Sequence, residues 1–395
     1  MRTLVRWTVG AVLIVHGLIH LLGVFKGFGW AEVSQLTEPI GTAMGAAWLV
    51  AAVLVIAAGV LLIARVRWAW AVAAVAAVVS QAVILTSWSD AKAGTIANVL
   101  LALVAGYGFA SQGPRSFRAK FRQLAHETTT AVAADADGTV ASLVTDGDLA
   151  HLPPPVAEYV RAVGTVGRPH VIGFHADISG RIRGGADQPW MRWTGEQVNT
   201  FGAEPSRVFF MDATMKGVPA DVLHAYVGPG ATMRVRVASL FTIVDARGPE
   251  MDQAETVTLL NDLCVLAPGA LVDAAIGWTP IDERKARATL TNAGHTVSAV
   301  LTFNDAHELV DFVSDDRLRS SPDGRTFTPQ RWSTPITDYR TFDGRRVGAL
   351  GRGCWHPDDE PGFAYLEFHV DDISYITTAA TGIAGGDPYP EGTSP

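Results

Sequence analysis

Two histidines four residues apart, His16 and His20 in HGLIH, are the most suggestive pair for chemistry in the chain. At that spacing both imidazoles project from one face of a helix, about 6 Å apart along its axis. They sit in a stretch, Trp7–Phe25, that carries no formal charge. An ionisable side chain in such a stretch is costly and tends to be paired or functional. Farther on, SWSDAKAGTIAN holds Trp88, Asp90, Lys92, Thr95 and Asn98, and Gln81 lies about two helical turns before Trp88. An imidazole beside a carboxylate could carry protons, hold a metal or hydrogen-bond a quinone carbonyl. The plainer alternative is a structural polar knot, since polar side chains commonly join helices inside membranes. Two histidines on one helix supply too few ligands for a metal or haem, so no metal site is assigned.

Beyond residue 150 such signals are scarcer. No G-x-S-x-G, Walker loop, dinucleotide fingerprint or H-E-x-x-H is present, and no catalytic residue or cofactor follows. Trp190, Trp193, Trp278 and Trp355, with Leu260 and Leu263 on a helical face, are candidates for lining an apolar cavity. Burial in an ordinary core is the competing expectation for them. Cys264 falls on the same apolar helical face, and Cys354 has no reactive neighbour in sequence. Asp135-Ala-Asp137-Gly138 resembles the start of a calcium loop but lacks its closing glutamate, and reads as linker.

The elements that must hold these residues divide sharply. Hydrophobic residues make up 48% of the 395 and charged residues 18%, with mean hydropathy +0.21. Residues 1–112 contain six basic and three acidic side chains, so the remainder carries −11 of a chain whose net charge is −8. An acidic chain disfavours nucleic acid as a partner. Two cysteines exclude a disulfide framework and a four-cysteine zinc site. Trp7–Phe25, Gly41–Ala64, Trp68–Trp88 and Gly94–Ala110 lack formal charge and are long enough to cross a bilayer as helices. Arg2, Arg6, Arg65 and Arg67 lie on one side of the spans, with Arg115, Arg118, Lys120 and Arg122 beyond the fourth. Only Lys26 and Lys92 lie on the other side. The positive-inside rule then places both termini in the cytoplasm. The segment around residues 115–122 interleaves Phe117 and Phe121 with charge, as a helix on anionic headgroups would.

The module from about residue 151 opens with Pro153-Pro154-Pro155 and an amphipathic helix carrying Val156, Tyr159, Val160 and Val163. Strand patterns follow, including His170–Ile178, Trp190–Thr200, Arg207–Ala213, Thr232–Asp245 as one strand, Thr296–Phe303 and Ala364–Tyr375. Asp343-Gly344 predicts a hairpin turn. Between the strands, residues 252–276 carry apolar side chains at steps of three and four, broken by Pro268 into two short helices. The expected organisation is a four-span transmembrane bundle (1–112), a basic juxtamembrane segment and linker (113–150), a soluble α+β module (151–377) and a disordered tail (378–395). In the module a curved antiparallel sheet, a half-barrel, carries the short helices on its concave face.

LPPPVAEYVRAVG, Trp190 with Trp193, Phe209–Ala213, Trp278–Asp282 and Asp338-Tyr339 resemble an uncharacterised bacterial family of membrane-associated modules. That resemblance covers roughly residues 151–376 and implies a fold similar to the half-barrel of the lipoprotein carrier LolA. The four spans distantly resemble DoxX-type membrane proteins, some of which are linked to quinone chemistry. The implied function is a module, anchored in the bacterial cytoplasmic membrane, that binds a lipid or other amphiphile. Membrane lipids and a lipid-like or quinone ligand are its expected partners. The alternative is a membrane redox or quinone-linked protein built on His16 and His20.

Overall fold

A computed structural model describes residues 2–136 and 142–378. The chain divides into two compact units, separating in the main at residue 120. Asp137 and Gly138, and the expected tail from residue 379 on, lie outside the described residues.

The first unit is helical. A first span, Leu4–Gly27, comprises α1 (Arg2–Ile19) and α2 (Leu21–Gly27). It is followed by α3 (Thr42–Ile63), α4 (Ala69–Thr86), a short turn α5 (Trp88–Ala91) and α6 (Gly94–Gln112). Four apolar stretches are therefore long enough to span a membrane, as the sequence predicts. Small side chains line the interior, with Ala58, Ala73, Ala76 and Ala105 packed around Leu13, Val55 and Leu101. They let helices approach closely where lipid offers no hydrophobic drive to associate. At Gly23 an added Cβ would stand 2.2 Å from the Trp48 ring, so α2 meets α3 closely only because that residue is glycine.

In the second unit, α7 (Phe117–Ala136) is one continuous helix that also enters the region expected as linker. Its buried positions Phe121, Ala125, Thr128, Val132 and Ala136 recur at steps of three and four. Phe121 meets Phe210 with ring centroids 6.2 Å apart. The expected placement of Phe121 in the headgroup layer is therefore not met, because the sheet offers this stripe a dry partner.

Strands β1 (Val171–Ile182), β2 (Met191–Thr200), β3 (Ser206–Met215), β4 (Val218–Val227), β5 (Gly230–Val237) and β6 (Phe241–Arg247) form an antiparallel meander. A helical stretch interrupts it, preceded in the chain by the short α8 (Pro154–Ala162): α9 (Pro249–Leu266), then one 3-10 turn over Pro268–Val272. Next come β7 (Ile276–Asp282), β8 (Lys285–Asn292), β9 (His295–Phe303) and β10 (Leu309–Ser314). A small ribbon pairs β11 (Leu318–Ser320) with β12 (Phe327–Pro329). The chain closes with β13 (Arg331–Ser333), β14 (Ile336–Phe342), β15 (Arg345–His356) and β16 (Phe363–Thr377). The large sheet runs β6-β5-β4-β3-β2-β1-β16-β15-β13-β10-β9-β8-β7, with β14 paired to β15.

Helix α9 touches β5 and β6 near one end of that order and β8 and β9 near the other. A sheet whose distant strands share one helix must curl around it, and it does so without closing. Val257, Leu260, Leu263 and Cys264 of α9 pack with Phe174, Trp193, Leu301 and Phe312 in a single core. Asp343 and Gly344 turn between β14 and β15 at φ +48° and +71°, the hairpin expected there. Thr232–Asp245 is two strands. Ala238 and Ser239 make the turn at φ +53° and +58°, a conformation their side chains do not announce. The edge strand β7 tolerates Pro280 because an edge need not donate every N–H.

Candidate functional site

Within the helical unit, α1, α4 and α6 place His16, His20, Ser80, Gln81 and Asn98 in one hydrogen-bonded chain. His20 Nδ1 donates to the His16 carbonyl oxygen (3.0 Å). His20 Nε2 lies 2.9 Å from the Ser80 hydroxyl, which lies 2.8 Å from Asn98 Oδ1. Ser80 has one proton for these two acceptors, so it is the branch point of the chain. His16 Nε2 is 3.2 Å from Asn98 Oδ1. Asn98 Nδ2 donates to Gln81 Oε1 (2.9 Å), and Gln81 Nε2 donates to Thr95 Oγ1 (3.2 Å). The two imidazoles meet edge to face at 4.6 Å, and Trp48 packs on His20 at 5.3 Å. Trp48 Nε1 has no hydrogen-bond partner among the described residues.

The remaining intramembrane candidates stand apart from this chain. Asp90 accepts hydrogen bonds from Thr37 N (2.5 Å), Thr37 Oγ1 (2.9 Å) and Glu38 N (3.1 Å) in the loop before α3. The Glu38 amide first, then the Thr37 hydroxyl, holds its carboxyl below the usual range. The imidazole–carboxylate pair considered from sequence is thus not formed, because Asp90 ties down its own loop. Trp88 and Lys92 are exposed. Ser80 was not among the candidates. Its signal was periodicity, since Ala69, Ala73, Ala76, Ser80 and Val83 form the buried face of α4.

In the second unit, a cavity of about 570 Å³ opens where the β2–β3 loop, the β4–β5 turn and the β8–β9 turn converge on α9. Phe201, Pro205, Leu263 and Leu290 supply apolar wall, and Glu204 and Asp273 stand among the polar lining. Asp273 pairs with His170 Nδ1 at 2.7 Å. Of the cavity candidates named from sequence, Leu263 lines it. Trp193, Leu260 and Trp355 are core, and Trp278 packs partly buried against that core. Trp190 lies against Arg181 and Arg183, whose Cζ atoms are 4.7 and 4.5 Å from its ring centroid. Cys264 is buried as expected and burial pushes its thiol far up; the half-buried Cys354 is raised for the same reason.

The sequence reading also missed a buried ion cluster beneath α9. Glu255 is 1% exposed and lies 2.9 Å from His224 Nε2, 3.1 Å from Arg317 Nη1 and 3.5 Å from Arg207 Nη1. Arg207 Nε donates to Asp262 Oδ2 (2.8 Å), which also accepts from Gln197 (2.7 Å) and Asn199 (3.1 Å). Burial opposes ionisation of Glu255, yet His224, Arg317 and Arg207 together hold its carboxyl well below the usual range. Burial likewise lowers His224 and outweighs the attraction of Glu255. Two carboxylates therefore balance two guanidiniums around the His224 imidazole. Acidic residues seven apart in an apolar helix were the available hint.

Among solved structures the chain is similar to a LolA superfamily protein from Nitrosomonas europaea, at 10% identity over 56% of this chain and 93% of that one, TM-score 0.31. It is also similar to a DUF1329 family protein from Desulfovibrio piger, at 12% identity over 56% of this chain and 91% of that one, TM-score 0.31. Likeness so remote transfers no function. No curated protein matches the chain. The profile of one family does, over residues 142–368, and the chain accordingly belongs to DUF6544, a family of unknown function.

Proposed function

We propose that the protein is a membrane-anchored module that binds a lipid or other amphiphile, with no defined reaction. The observation that carries this reading is the cavity of about 570 Å³ beside Leu263, in a module joined by α7 to four apolar helices. The volume lies within the range of small-molecule sites. An acyl chain entering it gains roughly 0.8 kcal/mol per methylene removed from water. Glu204 and Asp273 at the lining leave a polar edge where a head could remain hydrated. Native mass spectrometry of the full chain, released from neutral detergent, is expected to show a co-purifying amphiphile. Leu263→Trp, which fills the wall, should reduce its occupancy. A bare chain mass, with melting unchanged by delipidation, would refute the reading.

The basic residues flanking the spans support a cytoplasmic module with both termini inside. Single cysteines introduced near Lys26 and Lys92 should react with an impermeant maleimide on intact cells, and cysteines in the module should not. The reverse pattern would invert the arrangement. A quinone or redox role for His16 and His20 has less support. Asp90 is engaged in its own loop, and both imidazoles are bonded to neighbouring helix groups.

A further inference from the structure

At the start of β16 guanidinium groups gather on aromatic rings. Arg183 Cζ lies 6.0 Å from the Phe363 ring centroid and 4.5 Å from that of Trp190. Arg319 Cζ lies 5.3 Å from the same Phe363 ring and 6.0 Å from that of Trp355, which pairs with Phe363 across the strands. Arg181 shares the Trp190 ring with Arg183. The carboxylate of this region is Glu367, which pairs with Arg181 at 2.5 Å and with Arg352 at 3.9 Å. Among the described residues neither Arg183 nor Arg319 has an ion-pair partner within 4 Å. Asp358, Asp359 and Glu360, in the turn before Phe363, are exposed and pair with neither. Arg183 and Arg319 are thus the two guanidiniums at this ring that no carboxylate pairs within 4 Å.

These groups are positioned rather than loose. Arg183 N donates to Tyr365 O (2.8 Å), its Nε donates to Ala364 O (2.8 Å), and its Nη1 bonds Ala186 O. Arg319 Nη1 donates to Gln330 Oε1 (3.3 Å). A guanidinium resting on a ring face keeps edge N–H groups for an anion. On Arg183 that leaves Nη2, and on Arg319 Nε and Nη2. Both side chains are half-buried, which lowers the local dielectric without closing access. Two like charges on one ring, without a direct ion-pair partner, are relieved by a bound anion.

We propose that Arg183 and Arg319, which share the Phe363 ring, form a binding site for a phosphate group. Arg183 follows Ile182 at one end of β1 and the cavity lies by Phe201 at the other, so a phosphate held here is distinct from the head edge proposed for that cavity, and the site does not rest on that reading. The test is calorimetry on the full chain in neutral detergent with three probes: inorganic phosphate, dihexanoyl phosphatidylglycerol and uncharged dihexanoylglycerol. Phosphatidylglycerol is expected to bind more tightly than dihexanoylglycerol, and the Arg183→Gln/Arg319→Gln variant to weaken it about tenfold or more. Each single variant should weaken it by less and melt like the parent, which separates loss of the site from loss of the fold. If both lipids bind equally and the double variant changes neither, the phosphate site is overturned while the amphiphile reading stands. If inorganic phosphate binds through these arginines and neither lipid does, the site stands and the amphiphile reading falls.

Discussion

The helical unit and the sheet unit each bury a polar network, and they build it from opposite materials. Between α1, α4 and α6 the network is made of imidazoles, amides and a hydroxyl, with no acidic or permanently charged member. Beneath α9 it is made of full charges, two carboxylates and two arginines. The contrast follows from what surrounds them. A lone charge in hydrocarbon has no water within reach, so groups that bond without ionising cost least there. Inside the sheet module, charges can be buried where each is paired. Glu255 and Asp262 are each paired with three partners or more, though Glu255 Oε2 meets His224 and Arg207 as charges rather than through a hydrogen bond.

If this contrast holds, the two networks should fail by different amounts. Glu255→Ala leaves Arg207 and Arg317 buried with fewer counter-charges and should destabilise the sheet module by about 3–5 kcal/mol. Denaturant unfolding followed by tryptophan emission would measure it, and a loss below 1 kcal/mol would contradict the pairing described here. The next effect is a dependence on pH. Because the Glu255 carboxyl is held below its ordinary range, its stabilising share is complete above the unfolded value of about 4.3 and is lost as pH falls from there. The module should therefore melt at lower temperature as pH drops from about 5 to 3, and Glu255→Gln should flatten that slope. The smallest effect is expected in lipid. Ser80→Ala removes the branch point between His20 and Asn98, yet interhelical hydrogen bonds in membranes average only about 0.6 kcal/mol and reach about 2. Steric-trap or detergent unfolding that gave a loss above 4 kcal/mol would show the bundle network to be something other than neutral polar glue.

The sequence disclosed most where one chemical demand dominates. Four charge-free stretches can only be helices if they lie in lipid, and the four long helices fall on those stretches. The Pro268 break between α9 and the following turn was equally readable, because proline removes an N–H and clashes with the preceding turn. Partnership across distant segments was less legible. His16 and His20 could be assigned to one face, but their bond to Ser80 depends on how α4 is rotated, which local pattern does not fix. Arg207 and Glu255 stand 48 residues apart on a strand and a helix, and neither looks buried in its own segment. Trp193 and Trp355 were ambiguous for a related reason, since a large aromatic at a strand position suits a core and a cavity wall alike.

One consequence lies in α7. Phe121 is seated against Phe210 of the sheet, and Ala125, Thr128, Val132 and Ala136 continue the same buried stripe. The helix is thus part of the sheet module's own fold, and a fragment that began after it would bare the partners of that stripe. Any shortened form of the module must keep residues 121–136 if it is to stand alone.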